Sequence, residues 1–156
     1  MNVFDHVTQE HQEMLPHIEQ LKAAADAVGY VSPKALRPYL VEAYDFLHNQ
    51  LIPHAKSEDK VLYPIVARYM GNTGATNLMS YEHAEVVVHT RRLEKLMAGP
   101  VDEPALRNVL YSLHILVLLH FNKEEEFFMP VLRSHLTTAG DEAAVQAMHR
   151  ARHHAS

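Results

Sequence analysis

The chain contains no cysteine, which excludes disulfides, thiolate metal ligands, iron–sulfur clusters and thiol nucleophiles. Any metal bound here must be held by nitrogen and oxygen. Tryptophan is also absent, and only five glycines occur in 156 residues. With 47% hydrophobic residues and no low-complexity run, the chain should be ordered along its length apart from its ends. The first residues, Met1 to His11, lack a basic start followed by an apolar block and do not read as a secretory signal. The longest apolar run, Ile115 to Leu119, falls far short of the roughly twenty residues of a membrane span. Positive charge is scarce as well: Lys and Arg total 14 against 19 Asp and Glu, a net charge of −5. The densest basic group, Arg91, Arg92 and Lys95, reads as a solvated helix face rather than a phosphate track. We therefore expect one cytoplasmic domain spanning residues 1–156, with no nucleic-acid and no membrane partner.

What the chain does have is a stretch written twice. His54-Ala-Lys-Ser-Glu58-Asp-Lys-Val-Leu-Tyr-Pro64 recurs as His120-Phe-Asn-Lys-Glu124-Glu-Glu-Phe-Phe-Met-Pro130, and both copies read HxxxExxxxxP. Four residues are about one helical turn, so the His and Glu of each copy stack on one face and can grip one metal site. A lone HxxxE is weak evidence in a chain with 13 histidines, and His6 with Glu10 supplies an unremarkable one. The duplication is what carries weight, because the match continues up the helix. Leu40, Tyr44, Leu47, Leu51, His54, Glu58, Val61 and Ile65 run parallel to Leu106, Leu110, Leu113, Val117, His120, Glu124, Phe127 and Val131. Steps of four and three trace the buried seam of a helix in a bundle. A single histidine on such a seam is ordinarily a satisfied core residue. Two carboxylates there are different, since each needs a cationic partner to offset its burial.

Four long amphipathic segments are expected. The first runs from Val3 to about Val28 along Phe4, Val7, His11, Leu15 and Ile18, with Pro16 bending it. The second opens at Ser32-Pro33 and reaches about Met70, interrupted by Pro53 and by Pro64, which starts a separate final segment. The third spans about Ala75 to Met97, with His83 and Val86 or Val87 inward. The fourth starts at Asp102 and Pro104 and reaches about Leu136. Thr137 to Gly140 reads as a loop, and a short last segment from Asp141 to His154 has Ala144, Val145 and Met148 to dock and a polar end that frays. Short connections between long segments imply an all-α, antiparallel up-down-up-down four-helix bundle with a short C-terminal helix.

In such a bundle His11 and His83, near the starts of the first and third helices, meet His54 and His120 at one end. Glu10-His11-Gln-Glu13 and Glu82-His83-Ala-Glu85 form a second duplicated signal. The candidate metal ligands are thus His11, His54, Glu58, His83, His120 and Glu124. Imidazole plus carboxylate without thiolate suits iron, and less selectively manganese or zinc. Leu15, Leu51, Val87 and Val117 should wall the site. Tyr44 is on the seam, but its ten-residue distance from His54 is about 15 Å along a straight helix, too far to share a metal. His17, His48, His89 and His114 should flank the seam, whereas His6, His135, His149, His153 and His154 read as surface.

The order lone His, HxxxE, lone His, HxxxE resembles the hemerythrin-like family, over about residues 3–135, and mycobacterial-type members look nearest. The ferritin-like rival uses Glu-x-x-His, which this chain lacks, as it lacks HExxH. The resemblance implies a bundle holding two iron ions joined by an oxo or hydroxo bridge. It also implies dioxygen, hydrogen peroxide or nitric oxide as the small-molecule partner, and a monomer or weak homo-oligomer. Two departures matter. The oxygen carriers of the family have a further histidine where this chain has Val87. Their second bridging carboxylate is usually an aspartate five residues after the histidine, where this chain has Glu124 four after. Fewer protein ligands leave more open positions on iron. That favours low-turnover consumption of peroxide or nitric oxide over oxygen carriage; the alternative is a non-catalytic module that binds or senses oxygen, nitric oxide or iron.

Overall fold

A computed structural model describes residues 2–135 and 138–153, and every regular element among them is helical. Helix α1 is Val3–Ala27 and runs through Pro16 without a break. Helix α2 covers residues 33–70: it is α-helical over Pro33–Phe46, Ile52–Ser57 and Tyr63–Met70, with wide π-helical turns at Leu47–Leu51 and Glu58–Leu62. Helix α3 is Gly74–Ala98. Helix α4 is Glu103–His135, with one π turn at Glu124–Phe128. Helix α5 is Thr138–His153. Helices α1, α2 and α4 begin at side-chain caps, in which Asn2, Ser32 and Asp102 each accept the backbone N–H three residues on. Helix α2 ends at Gly71, whose φ of 64° is the left-handed turn a glycine adopts without a Cβ penalty.

Contacts between helices run in opposite chain directions at every neighbouring pair. Glu10 and His17 of α1 meet His54 and Phe46 of α2. Arg37 and Asp59 of α2 meet Met97 and Ser80 of α3, and Glu82 and Arg92 of α3 meet His120 and Asn108 of α4. Asp26 and Thr8 of α1 meet Tyr111 and Glu125 of α4. The four long helices therefore form the antiparallel up-down-up-down bundle expected, and α5 lies across α1 and the middle of α2.

The π turns share a cause. The N–H groups that reach back five residues belong to Ile52, Tyr63 and Met129, which donate to the carbonyls of Leu47, Glu58 and Glu124. Each of these donors directly precedes a proline: Pro53, Pro64 and Pro130. A proline has no N–H, and its ring collides with the carbonyl four residues back. Widening the turn by one residue relieves the collision and keeps the chain helical. So Pro64 does not start a separate segment, as its chemistry had suggested; α2 continues through it.

The extra residue also changes which side chains face inward. Constant α spacing placed Val61, Ile65, Phe127 and Val131 on the seam. Instead Leu62, Tyr63, Val66, Phe128, Met129 and Leu132 are buried, and Phe127 is 61% exposed. Two further corrections concern the C-terminal part. The expected loop at Thr137 to Gly140 is already helical from Thr138; Thr137 lies outside the described residues, as does His154. Helix α4 is, by length and composition, apolar enough to cross a membrane, because its apolar residues are spread around it rather than gathered in one run. Leu106, Leu110, Leu113 and Val117 are nonetheless packed inside the bundle.

The interior divides into two apolar clusters. One is built on Met14, Ile18, Leu47, Val86, Leu113 and Phe121. The other is built on Val3, Leu62, Tyr63, Met79, Phe128 and Met148, the last from α5. Between them lies a layer of buried histidines and glutamates.

Candidate metal centre

That layer contains all six residues expected from the repeated pattern. His54, Glu58 and Glu124 have no solvent exposure, and His11, His83 and His120 retain 3%, 6% and 4%. Glu58, His83, His120 and Glu124 form one group of donor atoms within 4.8 Å of one another, and His11, His54 and Glu58 form another. Glu58 belongs to both. Its Oε1 is 2.9 Å from His54 Nε2 and 3.5 Å from His11 Nε2, while its Oε2 is 3.3 Å from His83 Nε2. Glu124 Oε2 is 3.3 Å from His11 Nε2 and 3.6 Å from His120 Nε2. Two donors bound to one ion at about 2.1 Å and at right angles are about 3.0 Å apart, so these separations match the edges of a coordination shell.

The approaches do not satisfy the carboxylates by hydrogen bonding. Glu58 Oε1 and Oε2 and Glu124 Oε2 are buried without a hydrogen-bond partner, an arrangement that costs several kcal/mol unless a cation fills it. The donor set therefore fits a metal ion, and its two groups fit a pair.

Each histidine is held with Nε2 inward by a carboxylate on its other nitrogen. Nδ1 of His11 donates to Glu125 at 2.7 Å, that of His54 to Glu10 at 2.8 Å, that of His83 to Asp59 at 3.0 Å and that of His120 to Glu82 at 2.8 Å. A carboxylate accepting from Nδ1 fixes both the tautomer and the ring orientation. Every one of these carboxylates is the chain neighbour of a candidate ligand: Glu10 and Glu82 precede His11 and His83, and Asp59 and Glu125 follow Glu58 and Glu124. Each serves a histidine on another helix. Thr8 and Ser80 in turn donate to Glu125 and Asp59, so Thr8-Gln-Glu10-His11 and Ser80-Tyr-Glu82-His83 are a repeated [ST]xEH signal that was readable beforehand.

Electrostatics without a metal follow from the same contacts. Burial would raise the Glu58 pKa, but the charge of His54 and the contacts from His11, His54 and His83 hold it well below the usual carboxylate range. Burial opposes charge on His83, yet Asp59 and Glu58 push its pKa up to about 10. His11 is raised well above its ordinary value by Glu124, Glu125 and Glu58 against the opposing effect of burial.

A model of the hemerythrin HHE cation binding domain matches residues 2–111. The chain belongs to this hemerythrin family. The family match includes His11, His54, Glu58 and His83 and ends before His120 and Glu124, which the bundle brings to the same layer. A curated relative, a protein named DNA nickase from Nostoc sp., is 25% identical over 138 residues, covering 88% of this chain and 35% of that protein. The chain thus spans about a third of that relative's length. No solved structure matches.

Spacing alone missed one residue in this hemerythrin site. The tyrosine that reaches the cluster is Tyr63; Tyr44 donates to Glu94 at the surface. The Tyr63 hydroxyl donates to Glu124 Oε1 at 2.5 Å and lies 3.2 and 3.3 Å from Nε2 of His83 and His120, so it sits among the donor atoms of that group. Five residues after Glu58 is the far side of an α-helix, but about one full π turn brings it back. Burial, followed by the charges of Glu124 and Glu58, pushes the phenol pKa well above its ordinary value.

The walls also differ from expectation. Leu51 and Val117 line the site and Val86 lines it in place of Val87, but Leu15 is 41% exposed and its neighbour Met14 is the buried one. The buried line runs Val7, His11, Met14, Ile18 and Met79, His83, Val86, Thr90. Alternating steps of four and three stay on the seam, whereas two fours in succession drift off it. Of the four deeper histidines, His114 is buried against Glu19 and His17 stacks on Phe46. His48 stacks on Tyr44, and His89 donates to the Glu85 carbonyl.

The two halves are unequal beside the cluster. Phe121 follows His120 and stacks on His11, with ring centres 4.0 Å apart, whereas the residue following His54 is Ala55. Next to Ala55 is a cavity of about 10 Å³, bounded by His54, Glu58, His83, His120, Phe121 and the apolar side chains of Leu51, Val86 and Val117. It has room for one water-sized molecule.

Proposed function

We propose that His11, His54, Glu58, His83, His120 and Glu124 hold two iron ions, with Glu58 and Glu124 shared between them. On this reading the protein reacts with hydrogen peroxide, dioxygen or nitric oxide. The chief support is the set of three buried carboxylate oxygens that lack hydrogen-bond partners among four imidazoles already turned toward them. Iron, when bound, supplies open positions for a small ligand and one-electron chemistry.

The chain's own residues supply the rest. Leu51, Val86 and Val117 keep bulk water from the cavity beside Ala55, and its size restricts it to the smallest ligands. The Tyr63 hydroxyl keeps its proton and holds it against Glu124, beside His83 and His120, and so fixes one oxygen of that carboxylate. Glu10, Asp59, Glu82 and Glu125 keep the imidazoles from turning.

Metal analysis of the purified protein, followed by peroxide and nitric oxide titrations, tests this. Two irons per chain and peroxide consumption over many cycles support it. Reversible spectral change without turnover would instead support a binding or sensing module, and a chain that takes up no iron would overturn the reading.

A further inference from the structure

The carboxylates behind the four inner histidines are themselves anchored, and the anchors follow the internal repeat with one exception. Behind the lone histidines they are hydroxyls, Thr8 on Glu125 and Ser80 on Asp59. Behind His120 the anchor is a cation, since Lys123, three residues further along the same helix, pairs with Glu82. Three residues after His54 the chain has Ser57, buried and donating to the His54 carbonyl at 2.7 Å. Glu10, the partner of His54, nevertheless has its cation: Arg152, 142 residues away on α5. Helix α5 is docked by Ala144 and Met148, which are 4% and 1% exposed in the apolar cluster below the site.

We infer that Arg152 is a positioning residue for the metal centre, supplied by the C-terminal helix to do for His54 what Lys123 does for His120. The cation holds Glu10 in place as acceptor of the His54 Nδ1–H, so that Nε2 stays aimed at Glu58. The Glu10 side chain is 10% exposed and that of Arg152 28%, so solvent weakens the pair only partly. The inference rests on the metal-binding reading above. It makes the two metal positions unequal: the His11–His54 position depends on α5, and the His83–His120 position on a lysine of its own helix.

The test uses the full-length chain and its Arg152→Gln, Arg152→Lys and Lys123→Gln variants, titrated anaerobically with ferrous iron and separately with zinc against a competing chelator. Arg152→Gln is expected to weaken one of two metal equivalents by about tenfold to a hundredfold and leave the other unchanged. Lys123→Gln should weaken the other equivalent, and Arg152→Lys should restore wild-type affinity. In the metal-free protein, the His54 Nδ1–H resonance should be protected in wild type and in Arg152→Lys and exchange-broadened in Arg152→Gln. Wild-type affinity for both equivalents in Arg152→Gln overturns the inference. So does a loss that Arg152→Lys fails to restore, which would assign Arg152 to helix docking alone. Wild-type protein that binds neither metal overturns the metal-binding reading and this inference together, whereas two equivalents unaffected by Arg152→Gln overturn this inference alone.

Discussion

Tyr63 on α2 reaches across the bundle and donates its phenolic proton to Glu124 on α4 at 2.5 Å. The contact joins the two halves of the chain at their buried acidic layer. Among the described residues, the other three oxygens of Glu58 and Glu124 lack hydrogen-bond partners.

Replacing Tyr63 with Phe leaves Glu124 with both oxygens unpaired in the metal-free protein. We expect a loss of about 1–3 kcal/mol in metal-free stability, the usual cost of orphaning a buried acceptor, and a smaller loss once metal occupies the site. Denaturant melts of both forms measure the difference, and equal stability of mutant and wild-type metal-free protein would refute the assignment.

Glu58 touches both donor groups, whereas His11 and His54 belong to one. Glu58→Ala should therefore abolish uptake of both metal equivalents, and His11→Ala should spare one. Elemental analysis of the purified variants decides it; loss of a single equivalent in Glu58→Ala would contradict its sharing.

Metal loading should be strongly pH-dependent. With His83 raised to about 10 and His11 and His54 raised above their ordinary values, binding must displace protons, so apparent affinity rises with pH up to about pH 10. The metal-free protein behaves oppositely. Raised histidines contribute stability that is fully present below the unfolded value of about 6.5 and is lost as pH climbs through the folded values. The depressed Glu58 contributes stability present above its unfolded value of 4.5 and lost as pH falls through the folded one. Metal-free stability should thus peak between about pH 4.5 and 6.5, and thermal melts across pH, with pH-stat measurement of protons released on loading, check both signs.

The cavity beside Ala55 should control small-ligand access. Ala55→Val narrows it without replacing a candidate ligand, so iron content should be retained while nitric oxide affinity drops at least about tenfold, equivalent to about 1.4 kcal/mol. Val86→Phe, closing the cavity from α3, should act in the same direction. Undiminished affinity in both iron-loaded variants would place the ligand elsewhere.

Much of this protein is legible without coordinates because the repeat is local. An HxxxE pair lies within one helical turn, and alternation of helices forces the four histidines to one level, so His11, His54, Glu58, His83, His120 and Glu124 could be named from spacing alone. What spacing could not supply was the winding after each glutamate. The arithmetic assumes 3.6 residues per turn, and the prolines at positions 64 and 130 widen that turn, turning Phe127 outward and Leu62, Tyr63 and Phe128 inward. Nor could it pair Glu10 with His54, 44 residues away, or with Arg152, 142 residues away. The sequence by itself determined which chemical groups the interior would hold, because periodicity is a property of each helix alone. Only the tertiary structure decided which carboxylate meets which imidazole, which tyrosine reaches the cluster and that the last helix brings Arg152 to Glu10, because those depend on how separate helices are rotated against one another.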